Sequence, residues 1–389
     1  MKLHMLANQI ITHCIVAGCI FASALVQAAN TIPAAPTLAA NGYVLLDFNS
    51  GQVITENKGD QRMEPASLTK MMSTYVIGHE LKAGNISLQD KVTISKKAWR
   101  MPGSRMFVEV GKQIDVESLL KGIIIQSGND ATVAMAEFVA GSEDAFASLM
   151  NNYAKQLGML NSNFVNSTGL PDADHFTTPR DMALLARALI RDFPDHYKWY
   201  AIKKYTFNNI TQYNRNKLLW RDKSVDGIKT GHTESAGFCL VASANRDDMR
   251  LISVVLGTKS DSARVEESQK LLSYGFRFYR SHKLYDAYTE ISSTDIWKGH
   301  EDTVSLGLLK DLYVVIPRGQ YKQLKPSINF ESIIEAPITK NQVLGSLTVK
   351  LNNKVITERS LIALRNVEQG SWWKRVVDWF LLLLKGWFG

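Results

Sequence analysis

Apolar and polar positions change their period several times along the chain, and the changes mark out its elements. The runs 42–48 and 52–56 flank the turn triplet Asn49-Ser50-Gly51, which predicts a β-hairpin. A helical period begins near Ser67 and carries Met71, Tyr75, Val76 and Leu81. Further helical patterns cover about 116–126, 129–140, 144–157 and 179–193, and Pro179 suits the first turn of the last one. Two strand-like runs, 237–245 and 249–257, join through Arg246-Asp247-Asp248, and an amphipathic helix is expected over about 261–281. Strands, many helices, strands and a closing helix predict an α/β domain. Its sheet would be shared by N- and C-terminal segments, with a helical lobe inserted between them.

The texture changes from about 285. Short runs at 312–316, 346–351 and 355–357 alternate with turn residues such as Pro317-Arg318-Gly319 and Asn352-Asn353, the pattern of a small β-rich domain ending near 365. In the tail, 371–389, a helical projection gathers Lys374, Arg375, Asp378 and Lys385 into roughly one 100° arc, with Trp, Phe, Leu and Val around the rest. The apolar stretch 376–384 is far short of the ~20 residues that span a bilayer. The tail is therefore expected to lie in the plane of a membrane surface, or else to dock on the β-rich domain. At the other end, Lys2 precedes an apolar run over about 14–26 and then Val26-Gln27-Ala28-Ala29, which reads as an export signal cleaved after Ala28 or Ala29. Val16-Ala17-Gly18-Cys19 offers a rival reading as a lipidation box at Cys19, and an uncleaved signal anchor is a third. The expected organisation is a signal over 1–29, a main domain over 30–284, a β-rich domain over 285–368 and an amphipathic anchor over 369–389.

Composition narrows the partners. The 389 residues carry 45 Lys and Arg against 37 Asp and Glu, a net charge of +8 that no basic block concentrates. Nucleic acid is not an expected partner, whereas an anionic lipid or cell-wall polymer suits such a surface. Three cysteines are present, and two of them lie in the signal. Cys239 then remains alone, in the apolar run 237–242, and is expected to be a small buried hydrophobe. The eight histidines include no His-x-x-Glu-His spacing, so neither a metal nor a cofactor is expected.

The candidate chemistry is that of covalent amide hydrolysis. It requires a hydroxyl nucleophile, a base, donors for the oxyanion and a proton for the leaving amine. Ser67-Leu68-Thr69-Lys70 supplies the first two, because residues three apart on a helix share a face. Lys70 can serve as a base only if burial or a second cation lowers its pKa. Ser-x-x-Lys recurs at Ser118 and Ser371, and Ser-x-Asn occurs at Ser127, Ser243 and Ser327, so neither motif is specific alone. Lys229-Thr230-Gly231 occurs once. Order and setting select among the copies: Ser67 opens a helix, Ser127-Gly128-Asn129 lies at a break between helices, and Lys229 precedes the first late strand.

This ordered trio is the pattern of penicillin-binding proteins and class A β-lactamases. The chain resembles the D-alanyl-D-alanine carboxypeptidases of the penicillin-binding protein 5/6 type over nearly its whole length. The match runs through Pro65-Ala66-Ser67-Leu68-Thr69-Lys70-Met71-Met72, Ser127-Gly128-Asn129-Asp130-Ala131 and 225–233, and continues at 249–253 and 275–278. The resemblance implies a serine β-lactamase-like DD-peptidase domain, a small β-rich domain and a membrane-associating tail. It implies that Ser67 attacks the carbonyl between two D-alanines, that Lys70 takes its proton and that Ser127 relays a proton to the leaving D-alanine. Asn129 would hold Lys70 and the substrate amide, Lys229 would be the second cation that keeps Lys70 neutral, and Thr230 would bind the terminal carboxylate. The backbone N–H groups of Ser67 and His232 would form the oxyanion hole, and Gly231 would let the strand approach the ligand. Arg264 and Arg215 match arginines near the carboxylate end of the site, although for Arg264 a helix-surface salt bridge is an equal alternative.

The expected partners are peptidoglycan stem peptides as substrate, β-lactams as covalent inhibitors and the periplasmic face of the inner membrane. The segment 166–181, where class A β-lactamases place a deacylating Glu, contains none here. Asp172 and Asp174 are read there as turn residues. A penicilloyl-enzyme should then hydrolyse slowly. The alternatives are a β-lactamase, which the Glu-free loop opposes, and a scaffold or β-lactam-binding protein of negligible turnover.

Overall fold

The computed structural model describes residues 32–330 and 333–388, with side chains as far as 385. The expected export signal, with Cys19, lies outside the described residues.

Five antiparallel strands build the main sheet: β1 (Gly42–Asp47), β2 (Val53–Asn57), β3 (Val225–Thr233), β4 (Gly237–Arg246) and β5 (Met249–Thr258), in the order β2-β1-β5-β4-β3. Chain-distant segments thus meet at the β1–β5 pairing, where Leu46 faces Ile252 and Val44 faces Val254. Both faces of the sheet are covered, which is why β1, β4 and β5 read as almost unbroken apolar runs. Val44, Leu46, Ile252 and Val254 pack into the helical lobe with Met182 and Leu185. On the other face Gly275 lies against Leu45 and Leu251, so closely that a Cβ there would meet their side chains.

The inserted lobe holds the helices Thr69–Ala83 (α1), Asn129–Ala140 (α2), Glu143–Gln156 (α3) and Pro179–Asp192 (α4). Thr178 caps α4 by accepting the Asp181 N–H, with Pro179 in its first turn. The closing helix, Asp261–Phe278 (α5), ends three residues before the expected 281. Tyr279 turns extended there, and the chain continues as the strand Tyr279–Tyr285 (β6).

β6 pairs with Leu312–Pro317 (β9) in the second lobe. The break in texture near 285 therefore falls at the end of this strand. A five-stranded antiparallel sheet completes the lobe: Ser292–Asp295 (β7), Thr303–Gly307 (β8), Leu324–Phe330 (β10), Val343–Leu351 (β11) and Lys354–Ala363 (β12), ordered β7-β8-β12-β11-β10. It has its own core around Val304, Leu306, Leu347, Val349 and Leu361. The last helix, Trp372–Phe388 (α6), follows.

Candidate active site

Ser67 sits in a single 3₁₀ turn, Ala66–Leu68, that leads directly into α1. This junction brings the two side chains together: Lys70 Nζ lies 3.1 Å from Ser67 Oγ. Lys70 is itself sealed in, at 1 % exposure, and donates a 2.6 Å hydrogen bond to the Thr168 carbonyl. Burial lowers the Lys70 pKa to about 7, with a contribution from the Arg215 charge, while Asp130 opposes the shift. The amine is thus neutral in a large fraction of molecules near pH 7.

Ser127 follows a π-helical segment, Gly122–Gln126, and adopts a left-handed conformation at φ 62°. Such conformations are costly for a residue with a side chain, and both they and π-bulges concentrate at functional sites. Lys229 Nζ donates to Ser127 Oγ at 2.8 Å and to the Thr230 carbonyl at 3.1 Å. Because the Ser127 oxygen accepts from Lys229, its own hydrogen stays available for donation. Lys229 is fully enclosed, and burial with repulsion from Lys70, Arg215 and Arg264 pushes its pKa well down.

A cavity of about 420 Å³ opens onto Ser67, Ser127, Asn129, Thr230, Gly231 and His232, and Arg215 and Arg264 also line it. All three sequence motifs therefore meet at one place. Gly231 runs close beside the Ser67 turn: a Cβ on it would come within 3.0 Å of the Pro65 carbonyl oxygen.

One expectation needs correction. Asn129 does not hold Lys70; its Nδ2 donates to the Pro102 carbonyl at 2.7 Å, and its buried Oδ1 has no protein partner. The reason is the loop 102–108, which closes over the start of α2 and takes the amide for itself. Lys70 and Lys229 repel each other, and Arg215 adds a third positive charge that disfavours the proton on both. Arg264 combines both of its readings. It is buried, pairs with Asp261 and donates to the Gly231 carbonyl at 3.0 Å, so it braces the strand that edges the cavity. His232 is exposed, and its ring lies on Phe238 with centroids 3.9 Å apart.

Several residues shape the site through contacts that the sequence reading did not assign. The buried Asp130 carboxylate accepts the N–H groups of Met106, Phe107 and Val108 and so fastens the loop on the cavity's flank. His175 bridges Thr69, the neighbour of Lys70, to the loop 165–177: its Nδ1 accepts the Val165 N–H at 3.2 Å, which leaves Nε2 to donate to Thr69 Oγ1 at 2.8 Å. Arg215, at the rim, stands between two buried asparagines, and Asn216 donates to the Gly227 carbonyl at 2.9 Å. His175 and Thr69 are far apart in the sequence, and no motif links them. Asp172 and Asp174 are exposed, and the Asp174 N–H donates to Asp172 Oδ1 in a local turn. Among the described residues no cluster of His, Cys, Asp and Glu could hold a metal ion.

Comparison with known proteins gives the same family from sequence and from fold. Residues 29–260 match the D-alanyl-D-alanine carboxypeptidase family, and 279–369 match the C-terminal domain of penicillin-binding protein 5. The chain is 46% identical over 366 residues to the D-alanyl-D-alanine carboxypeptidase DacA of Escherichia coli K12, covering 92% of this chain and 91% of that protein. The crystal structure of penicillin-binding protein 5 from Haemophilus influenzae superposes with a TM-score of 0.84 at 42% identity, over 86% of this chain and 99% of that one. The ampicillin-bound form of penicillin-binding protein D2 from Listeria monocytogenes superposes with a TM-score of 0.58 at 27% identity, over 62% of this chain and 99% of that one.

Proposed function

We propose, for a chain that belongs to the D-alanyl-D-alanine carboxypeptidase family, that it removes the terminal D-alanine from peptidoglycan stem peptides through an acyl-enzyme on Ser67. The observation that carries this reading is a buried Lys70 amine, with its pKa lowered to about 7, 3.1 Å from the Ser67 hydroxyl.

In this mechanism Ser67 Oγ attacks the carbonyl carbon between the two D-alanines while Lys70 Nζ takes the hydroxyl proton. The carbonyl oxygen becomes an oxyanion, held by the N–H groups of Ser67 and His232. Ser127, whose oxygen is held by Lys229, passes a proton to the leaving nitrogen as the C–N bond breaks and free D-alanine departs. Thr230, with the Arg215 cation at the rim, receives the terminal carboxylate, and Asn129 Oδ1 is available to the substrate amide. Water then cleaves the ester, with Lys70 as the simplest base for that step.

A β-lactam presents its strained amide to the same serine and acylates it. The exposed Asp172 and Asp174 offer no buried carboxylate to activate water from that loop, which supports inhibition by penicillin over its turnover. Export to the periplasmic face of the inner membrane is part of the proposal, with α6 as a peripheral anchor. No helix among the described residues is long and apolar enough to cross a membrane, whereas Trp372, Trp373, Trp379 and Phe380 are more than half exposed.

The test uses purified residues 30–370 and a peptide ending in D-Ala-D-Ala. Release of D-alanine supports the reading; no release, with penicillin still attached to Ser67, would make this a binding protein instead. Ser67→Ala should abolish covalent labelling by fluorescent penicillin, and labelling that persists would remove Ser67 from the mechanism.

A further inference from the structure

Asp378 is the odd residue of the tail, an acid set within a run of Trp, Phe, Val and Leu. A carboxylate facing an anionic lipid surface would be repelled and partly stripped of water. In the structure it does neither: Asp378 Oδ2 accepts the backbone N–H of Lys298 at 2.6 Å. The same turn of the second lobe, 297–302, meets the tail repeatedly. The Gly370 N–H donates to the Lys298 carbonyl at 2.8 Å, and the His300 N–H donates to the Glu368 carbonyl at 2.9 Å. Lys374 pairs with Asp302, and the Lys385 ammonium lies over the Trp297 ring, 5.8 Å from its centroid. Over 371–385, Lys374, Asp378 and Leu382 are the partly buried residues, and their spacing of four is one stripe of a helix. The remaining positions of that stretch are exposed.

We infer that Lys374 and Asp378 latch α6 to the 297–302 turn, so that the helix meets a lipid surface at a fixed angle to the second lobe. The inference rests on the reading of α6 as a membrane-facing helix. An amphipathic tail on a loose linker would let the enzyme take any orientation above the bilayer. A latched tail makes the anchor a rigid foot, and the second lobe carries that rigidity onward. Gln52, in the first hairpin, donates to the Ile356 carbonyl at 2.6 Å and accepts the Val315 N–H at 3.0 Å, and Arg318 donates to the Phe276 carbonyl at 2.9 Å. The height and aspect of the catalytic cavity above the membrane are then set by the fold.

The experiment places a fluorescent penicillin on Ser67 of the full chain as donor. The acceptor is a headgroup-labelled lipid in phosphatidylcholine–phosphatidylglycerol vesicles. Labelling itself reports that each variant is folded, and sedimentation reports binding. The wild type should bind and show one narrow donor-lifetime population. Lys374→Ala with Asp378→Ala should still bind and should lose that single population to a broad one. Lys374→Asp alone should also broaden it, and adding Asp302→Lys to that variant should restore it. A doubly substituted protein that binds with the wild-type lifetime overturns the latch while leaving the membrane reading intact. Wild-type protein that stays in the supernatant overturns the membrane reading, and the latch with it.

Discussion

A primary amine enclosed in protein holds its proton weakly, and Lys70 carries that cost at the residue scale. The neutral form is the base, and it dominates above the pKa, so acylation of Ser67 by penicillin should rise as pH increases through about 7 and then level. Stopped-flow acylation rates across pH check this. Arg215 adds to the depression, so Arg215→Gln should move the inflection to higher pH; an unmoved inflection would show that burial alone sets it. His175 behaves differently. Burial lowers its pKa to about 4, so it stays a neutral donor from Nε2 to Thr69 and contributes no inflection near neutrality. His175→Ala would leave the Thr69 hydroxyl and the Val165 N–H without partners and should cost about 1–3 kcal/mol, read as a shift in the urea midpoint. It should also slow acylation, because the loop that His175 fastens carries the Thr168 carbonyl against Lys70.

Elements were legible wherever a period or a turn signal was local. The first hairpin, α2, α3, α4 and the β4–β5 pair stand close to their expected bounds, because patterns of apolar residues and a capping Thr or Pro act within a few positions. The strand pairs Lys91–Thr93 with Gln113–Asp115 and Lys204–Phe207 with Ile210–Tyr213 escaped, being too short for a period to register. The π-helical segment before Ser127 also escaped, since its sequence, Gly-Ile-Ile-Ile-Gln, reads as ordinary helix. Gly169 belongs to this scale too. At φ 86° it lies against the Ser67 turn, and a Cβ there would collide with the Ala66 carbonyl oxygen. Gly169→Ala should therefore displace the nucleophile or the loop and slow penicillin acylation about 100-fold, with the far-ultraviolet dichroism unchanged.

At the scale of the whole molecule, polar contacts join two cores, and Gln52 makes two of them. Asp47 adds a third by accepting from Ser281 at 3.2 Å. Gln52→Ala should loosen the joint by about 1–2 kcal/mol and separate the unfolding of the lobes in calorimetry. Acylation of Ser67 should be unaffected, because the β1–β2 turn lies at the end of the sheet away from Lys229. A single calorimetric transition with the wild-type midpoint would show that the apolar contacts hold the lobes without it.

The sequence alone singled out the candidate reacting groups and the architecture around them. Motif order singled out Ser67, Lys70, Ser127 and Lys229 because each residue's chemistry travels with its type. Periodicity put Ser67 at a helix start and Ser127 at a break between helices, whereas β3, the strand that carries Lys229, was not among the expected strands. What surrounds those groups is set by the fold in three dimensions. The fold engaged the Asn129 amide with Pro102 rather than Lys70, added the Arg215 charge to the lysine pair, turned Arg264 into a brace and gave Asp378 a backbone partner. Each of these depends on distance and burial between residues far apart in the chain, and electrostatic strength follows separation and dielectric in space, which no local pattern records.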